Sequence, residues 1–227
     1  MKSLRLTRFA RAVLAGAVAV ALAGTAPAAF VPLTLGPTDS GWTWDNSSMP
    51  AGNITVTDIN TGASTLTITV SKDFTDIKTP VLLTFQQDLP DAQTMARIII
   101  HSESIKNDTG VNWTAFRWSI FETGTALFDP SASGGWTVTP FSPSPGAWQS
   151  NNGSPNGALL ANGGSGVAAG ATWTPTGDLY INVDLTGNST DNANFTLKEL
   201  AVPEPGSLCM LALATLFAIG GRRARRA

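Results

Sequence analysis

Cysteine is almost missing from this chain: Cys209 stands alone among 227 residues. No disulfide can close within the chain. Metal sites of the Cys/His type are excluded as well, because histidine is also single, at His101. A lone histidine with no cysteine nucleophile in reach would need a serine and an orienting acid to catalyse, and no G-x-S-x-G elbow is present. His101, in the run IIIHSES, reads as a strand-face residue. Basic residues are scarce through the middle of the chain. All sixteen acidic residues lie between Asp39 and Glu204, against six basic ones there: Lys72, Lys78, Arg97, Lys106, Arg117 and Lys198. A body ten charges negative argues against nucleic acid, which rewards clustered lysine and arginine. Long apolar runs are confined to the two ends, and between them no stretch carries the 3.6-residue period of a helix.

The ends carry the rest of the charge. Lys2, Arg5, Arg8 and Arg11 form a basic opening, followed by an apolar run from Val13 to Ala23. Ala26-Pro27-Ala28 then offers the small-residue pattern that signal peptidase cuts, at Ala26 and Ala28. Together these predict a secretory signal peptide over residues 1–28, with a mature chain beginning at Ala29 or Phe30. At the other end a hydrophobic segment runs from Leu208 to Gly221, about 20 Å as a helix against about 30 Å of bilayer hydrocarbon. Pro203 and Pro205 stop a helix from extending upstream, since proline lacks the amide donor. Arg222, Arg223, Arg225 and Arg226 can snorkel to the headgroups and hold their end in the cytoplasm as a membrane stop. With an exported N-terminus, the body then lies outside the inner membrane.

Pro203-Glu204-Pro205, the hydrophobic helix and the terminal arginine cluster, in that order, resemble the PEP-CTERM sorting signal of Gram-negative bacteria. The resemblance covers residues 202–227 and is specific. It implies recognition by exosortase, a multi-spanning membrane protease or transpeptidase, and removal of the tail near the Pro-Glu-Pro element. The route it implies is Sec-type export, transient anchoring in the inner membrane, and release to the cell surface or extracellular matrix. An ordinary C-terminal membrane anchor is the competing reading.

Residues 29–201 are expected to form one all-β domain, an antiparallel β-sandwich of jelly-roll-like or Ig-like type, flanked by the signal helix and the C-terminal hydrophobic helix. Ile54 and Val56 alternate with threonines, as do Leu66, Ile68 and Val70, and Asn60 and Gly62 between them supply a hairpin turn. The same period recurs at Val81, Leu83 and Phe85, at Phe116, Trp118 and Ile120, and at Leu179, Ile181, Val183 and Leu185. Residues 129–170, rich in Gly, Ser, Pro and Asn, read as a long loop or meandering edge. The run NFTLKELAV forms a last strand leading straight into Pro-Glu-Pro.

Candidate sites within the body are few. Glu103 and Glu122 are the acids that a glycosidase would need in pair, with Glu103 sharing a strand face with Arg97, Ile99 and His101. Asn188, Asp191, Asn192 and Asn194 gather oxygen ligands in one loop, a calcium candidate without EF-hand spacing, and a turn by composition. Among seven tryptophans, Trp42 and Trp44 on one strand side and Trp136 and Trp148 in the long loop are candidates for stacking on sugars, whereas Trp113 and Trp118 read as core. No cofactor is called for. The expected function is a non-enzymatic exported protein associated with exopolysaccharide or biofilm, since that is where proteins with this signal act. A carbohydrate-binding module and a polysaccharide hydrolase are the alternatives.

Overall fold

The structure is a computed structural model, which describes residues 29–49, 52–121, 126–151, 153–186 and 193–204. Both predicted terminal helices lie outside the described residues, as do Glu122, Asn188, Asp191 and Asn192. Thirteen strands follow one another: β1 (Phe30–Leu35), β2 (Thr38–Asp45), β3 (Gly52–Asn60), β4 (Thr65–Phe74), β5 (Val81–Gln87), β6 (Arg97–Asn107) and β7 (Trp113–Phe121), then β8 (Ala126–Phe128), β9 (Ser142–Asn151), β10 (Ser154–Val167), β11 (Thr172–Trp173), β12 (Leu179–Val183) and β13 (Asn194–Pro203). They form a seven-stranded sheet, β1-β2-β5-β13-β7-β10-β9, and a six-stranded sheet in which β3-β4-β6-β12-β8 are joined by β11 on β6. Among the described residues no helix is long and apolar enough to cross a membrane.

The threonine-rich alternation yields strands because β-branched side chains fit a pleated, half-buried surface. Leu66, Ile68 and Val70 point into the core from β4 while the intervening threonines stay half-exposed. β3 and β4 pair as the expected hairpin, with a register shift between Val56 and Asp58. Among the described residues every strand pairing is antiparallel except one. β4 and β6 run parallel, Leu66 opposite Ile98 and Lys72 opposite Ile105. The cause is topological: β5 between them crosses to the other sheet, so β6 returns in the direction of β4.

The stretch expected as a long loop or meandering edge, 129–170, is for the most part the latter. β9 and β10 fill it as a hairpin at the rim of the larger sheet, and β10 pairs in turn with β7. Low strand propensity hides this pair in the sequence. Its glycines serve a close approach: Gly164 and Gly166 have φ of +68° and +67°, and a Cβ would lie 2.0 Å from Pro140 O and Trp113 O respectively. Only glycine permits both that conformation and that contact.

The inner faces of the two sheets share one apolar core. Its aromatic centre is Phe116, with ring centroids 4.7 Å from Trp118, 5.4 Å from Phe74 and 5.2 Å from Trp173. Edge-to-face contacts of this kind add to area burial. The body thus builds its stability on a dense aromatic interior, with no cysteine among the described residues to crosslink it.

Candidate functional site

Three of the four tryptophans expected to bind sugar are enclosed in the core. Trp42, Trp44 and Trp136 are 0%, 4% and 0% exposed. Trp42 donates its indole N–H to Met95 O at 2.8 Å and packs edge-on against Phe195. Trp136 stacks edge-on to Trp118. Trp148 is half-buried and lies 5.7 Å from Phe128. The alternation that places Trp42 and Trp44 on one side of a strand was read correctly, but that side faces the core. Asn194, the described member of the calcium candidate set, is exposed at the start of β13. No cluster of acidic or histidine ligands that could hold a metal occurs among the described residues. His101 is an exposed strand residue, its Nδ1 2.6 Å from Asp178 Oδ1.

Glu103 lies on the opposite face from the one expected. Ile98 and Ile100 point inward, His101 points out, and Glu103, Ile105 and Asn107 point inward again. The reason is a bulge: Ile68 pairs with Ile100, but the next residue, Thr69, pairs with Ser102, so one extra residue on β6 reverses the parity. Glu103 is fully buried and closed to any external substrate.

That reversal builds a charged cluster inside the sandwich. Lys72 on β4, Glu103 on β6 and Glu199 on β13 are at most 1% exposed, and they converge from both sheets. Lys72 Nζ donates to Glu103 Oε1 at 2.9 Å and stands against Glu199 Oε2 as a second ion-pair contact. Glu103 Oε2 accepts the indole N–H of Trp118 at 3.1 Å. Glu199 has no hydrogen-bond donor on either oxygen among the described residues. Burial pushes Glu199 well above the usual carboxylate range, and the nearby Glu103 charge adds to it, with Lys72 offsetting only part. Burial pulls the Lys72 ammonium down, but the two carboxylates outweigh it and the net direction is up. One lysine cannot neutralise two carboxylates, and burial favours the protonated form of Glu199.

Neither Lys72 nor Glu199 stood out in the sequence, yet a signal exists for both. Leu66, Ile68, Val70, Lys72 and Phe74 occupy one face of β4, and Phe195, Leu197, Glu199 and Ala201 one face of β13. A charge in the middle of an apolar stripe requires an ionic partner inside.

The other candidate site is the sorting junction. β13 is the fourth of seven strands in its sheet, hydrogen-bonded to β5 on one side and β7 on the other. Its last residue is Pro203, paired with Trp113, and Thr114 Oγ1 donates to Pro203 O at 3.3 Å. The Glu204 amide donates to Asn112 O at 3.1 Å. The motif therefore starts on the rim of the sandwich, in extended form, with no linker. Pro205 and the terminal arginines lie outside the described residues.

A shallow depression of about 90 Å³ marks the outer face of the same sheet, lined by Arg117, Ser119, Phe121, Asn151, Lys198 and Leu200. Lys198 sits 5.2 Å from the Phe121 ring, and Arg117 Nε is buried without a hydrogen-bond partner among the described residues.

No curated protein and no solved structure matches the chain. Residues 201–226 match the PEP-CTERM protein-sorting motif family, which begins on the last residues of β13 and contains Pro203-Glu204-Pro205 with Arg222, Arg223, Arg225 and Arg226. The chain is thus a protein carrying the PEP-CTERM sorting motif, and that motif marks it as an exported target of exosortase.

Proposed function

We propose that this is a non-catalytic surface or extracellular-matrix protein, released from a transient inner-membrane anchor by exosortase and associated with secreted polysaccharide. The observation that carries the reading is the junction between sandwich and signal. Pro203 ends β13 and Glu204 is still hydrogen-bonded to the sandwich, so the folded domain reaches into the motif itself. Proline biases the residue before it toward extended backbone, the form in which a protease groove takes its substrate. The acidic body is suited to a hydrated matrix. The carbohydrate-binding alternative keeps Trp148 of its four candidate tryptophans, because Trp42, Trp44 and Trp136 are enclosed. The hydrolase alternative loses Glu103 to the core.

Fractionation of producing cells with mass spectrometry of the recovered protein tests the reading. The matrix-associated wild type is expected to lack Leu208 onward, and changing Pro203-Glu204-Pro205 to alanines is expected to leave full-length protein in the membrane fraction. An intact tail ending in Ala227 on matrix-associated protein overturns it in favour of a plain anchor.

A further inference from the structure

We propose that Lys72 and Glu199 join through an intramolecular amide bond, formed by the folded protein itself with Glu103 as the proton carrier. The amine and the carboxyl that would acylate it are in contact inside a closed core, one from each sheet. The second carboxylate touches the same amine at 2.9 Å and is fixed from behind by the Trp118 indole. Neither oxygen of Glu199 receives a hydrogen bond among the described residues. Its close partner is the Lys72 ammonium, which brings the amine nitrogen against the carboxyl group. An ordinary buried carboxylate is expected to collect several donors; this one has the Lys72 ammonium as its close ionic partner.

The chemistry balances without a further reactant. The cluster starts as a Lys72 ammonium, a Glu103 carboxylate and a protonated Glu199. Transfer of one ammonium proton to Glu103 gives a neutral amine, and a low-dielectric interior favours neutral forms over the ion pair. The amine lone pair attacks Glu199 Cδ. Glu103 gives its proton to the carboxyl oxygen and takes one from the attacking nitrogen. It gives that proton to the departing hydroxyl, and the C–O bond breaks with loss of one water. The oxygen that remains on Cδ returns its proton to Glu103, so the products are a secondary amide that keeps one N–H, a neutral Glu103 and water. No oxidant, nucleotide or metal is consumed. Positioning by three strands replaces the activation that the same condensation needs in solution. Release of water to bulk, away from a site that holds no exposed atom, disfavours the reverse.

The bond would tie β4 in one sheet to β13 in the other, four residues before the sorting motif begins at Pro203. It would supply the covalent cross-tie that a cysteine-free exported domain cannot obtain by oxidation.

The test is peptide mapping of the full chain isolated from expressing cells, unfolded and then digested with trypsin. The expected result is a branched peptide joining the Lys72 and Glu199 segments, lighter by one water than the two together, with cleavage after Lys72 lost. Glu103→Gln, which keeps the size of the side chain, is expected to yield the two segments as linear peptides, as is Lys72→Met. Wild-type protein with Lys72 and Glu199 only in ordinary linear peptides overturns the proposal. Water loss that persists in Lys72→Met overturns it equally, because the linkage would then lie elsewhere. A Glu103→Gln protein that is still branched removes Glu103 from the mechanism. These outcomes do not depend on exosortase processing, which alters only residues beyond the motif.

Discussion

Replacing Trp118 separates packing from hydrogen bonding at the centre of the core. The ring is 0% exposed, packed against Phe116 at 4.7 Å, Trp173 at 5.7 Å and Trp136 at 6.3 Å, and it gives its N–H to Glu103. Truncation to alanine opens a large cavity, costing about 3–5 kcal/mol. It also strips a donor from a buried carboxylate, which adds about 1–3 kcal/mol, so Trp118→Ala should lose roughly 4–6 kcal/mol after partial collapse. Trp118→Phe keeps most of the volume and loses the donor, so its cost should be about 2 kcal/mol. Equilibrium urea unfolding followed by fluorescence and circular dichroism measures both, with the difference between the variants reporting the cavity. A Trp118→Phe protein as stable as wild type would refute the idea that Glu103 depends on this indole. A Trp118→Ala loss below about 1.5 kcal/mol would refute the packing argument itself.

Gly166→Ala should destabilise by at least about 2 kcal/mol, from the left-handed backbone and the collision with Trp113 O, and thermal melting checks it. Asp129 accepts from the Ala132 amide at 3.0 Å and from Asn182 at 3.0 Å, with Arg97 at 3.3 Å, and these hold its carboxyl below the usual aspartate range. A lowered folded value means the stabilisation is present above the ordinary aspartate pKa and disappears as pH falls toward the folded one. Asp129→Asn should therefore lower stability at neutral pH and flatten the acid limb in that window, read by urea unfolding across a pH series. An unchanged acid limb would show that Asp129 does not contribute to it.

Much of the sandwich was legible because most strands have one wet face. Period two in β3, β4, β5, β12 and β13 records which side is buried, and turn residues record where the chain reverses. Three things were not legible, each for a definite reason. The bulge at His101–Ser102 adds one residue to β6, and no local pattern marks it, because the serine and histidine there suit either face. The β9–β10 hairpin is made from residues with poor strand propensity, held by pairing with β7 and not by their own preference. The parallel β4–β6 contact depends on β5 changing sheets, a property of the whole chain path. The sorting motif was legible in full because it is read as linear sequence.

The buried cluster and the sorting motif share β13, and the order of parts along that strand gives the arrangement its sense. Any force that reaches the protein through the processed C-terminal end enters at Glu204, passes Pro203 and acts along β13. The strand has hydrogen-bonded neighbours on both sides, so its rungs to β5 and β7 resist in parallel, unlike those of an edge strand with a single ladder. Phe195, Leu197 and Ala201 are buried in the shared apolar core, but apolar contact slides at small cost compared with breaking a directed bond. Glu199 is the one position on the inner face of β13 where a directed attachment to the other sheet exists. A bare ion pair there is a poor tether, since separating it admits water to both charges. An amide has no such escape. The placement of a lysine and two glutamates in a core otherwise built from aromatics follows if what they secure is the strand to which the signal is attached.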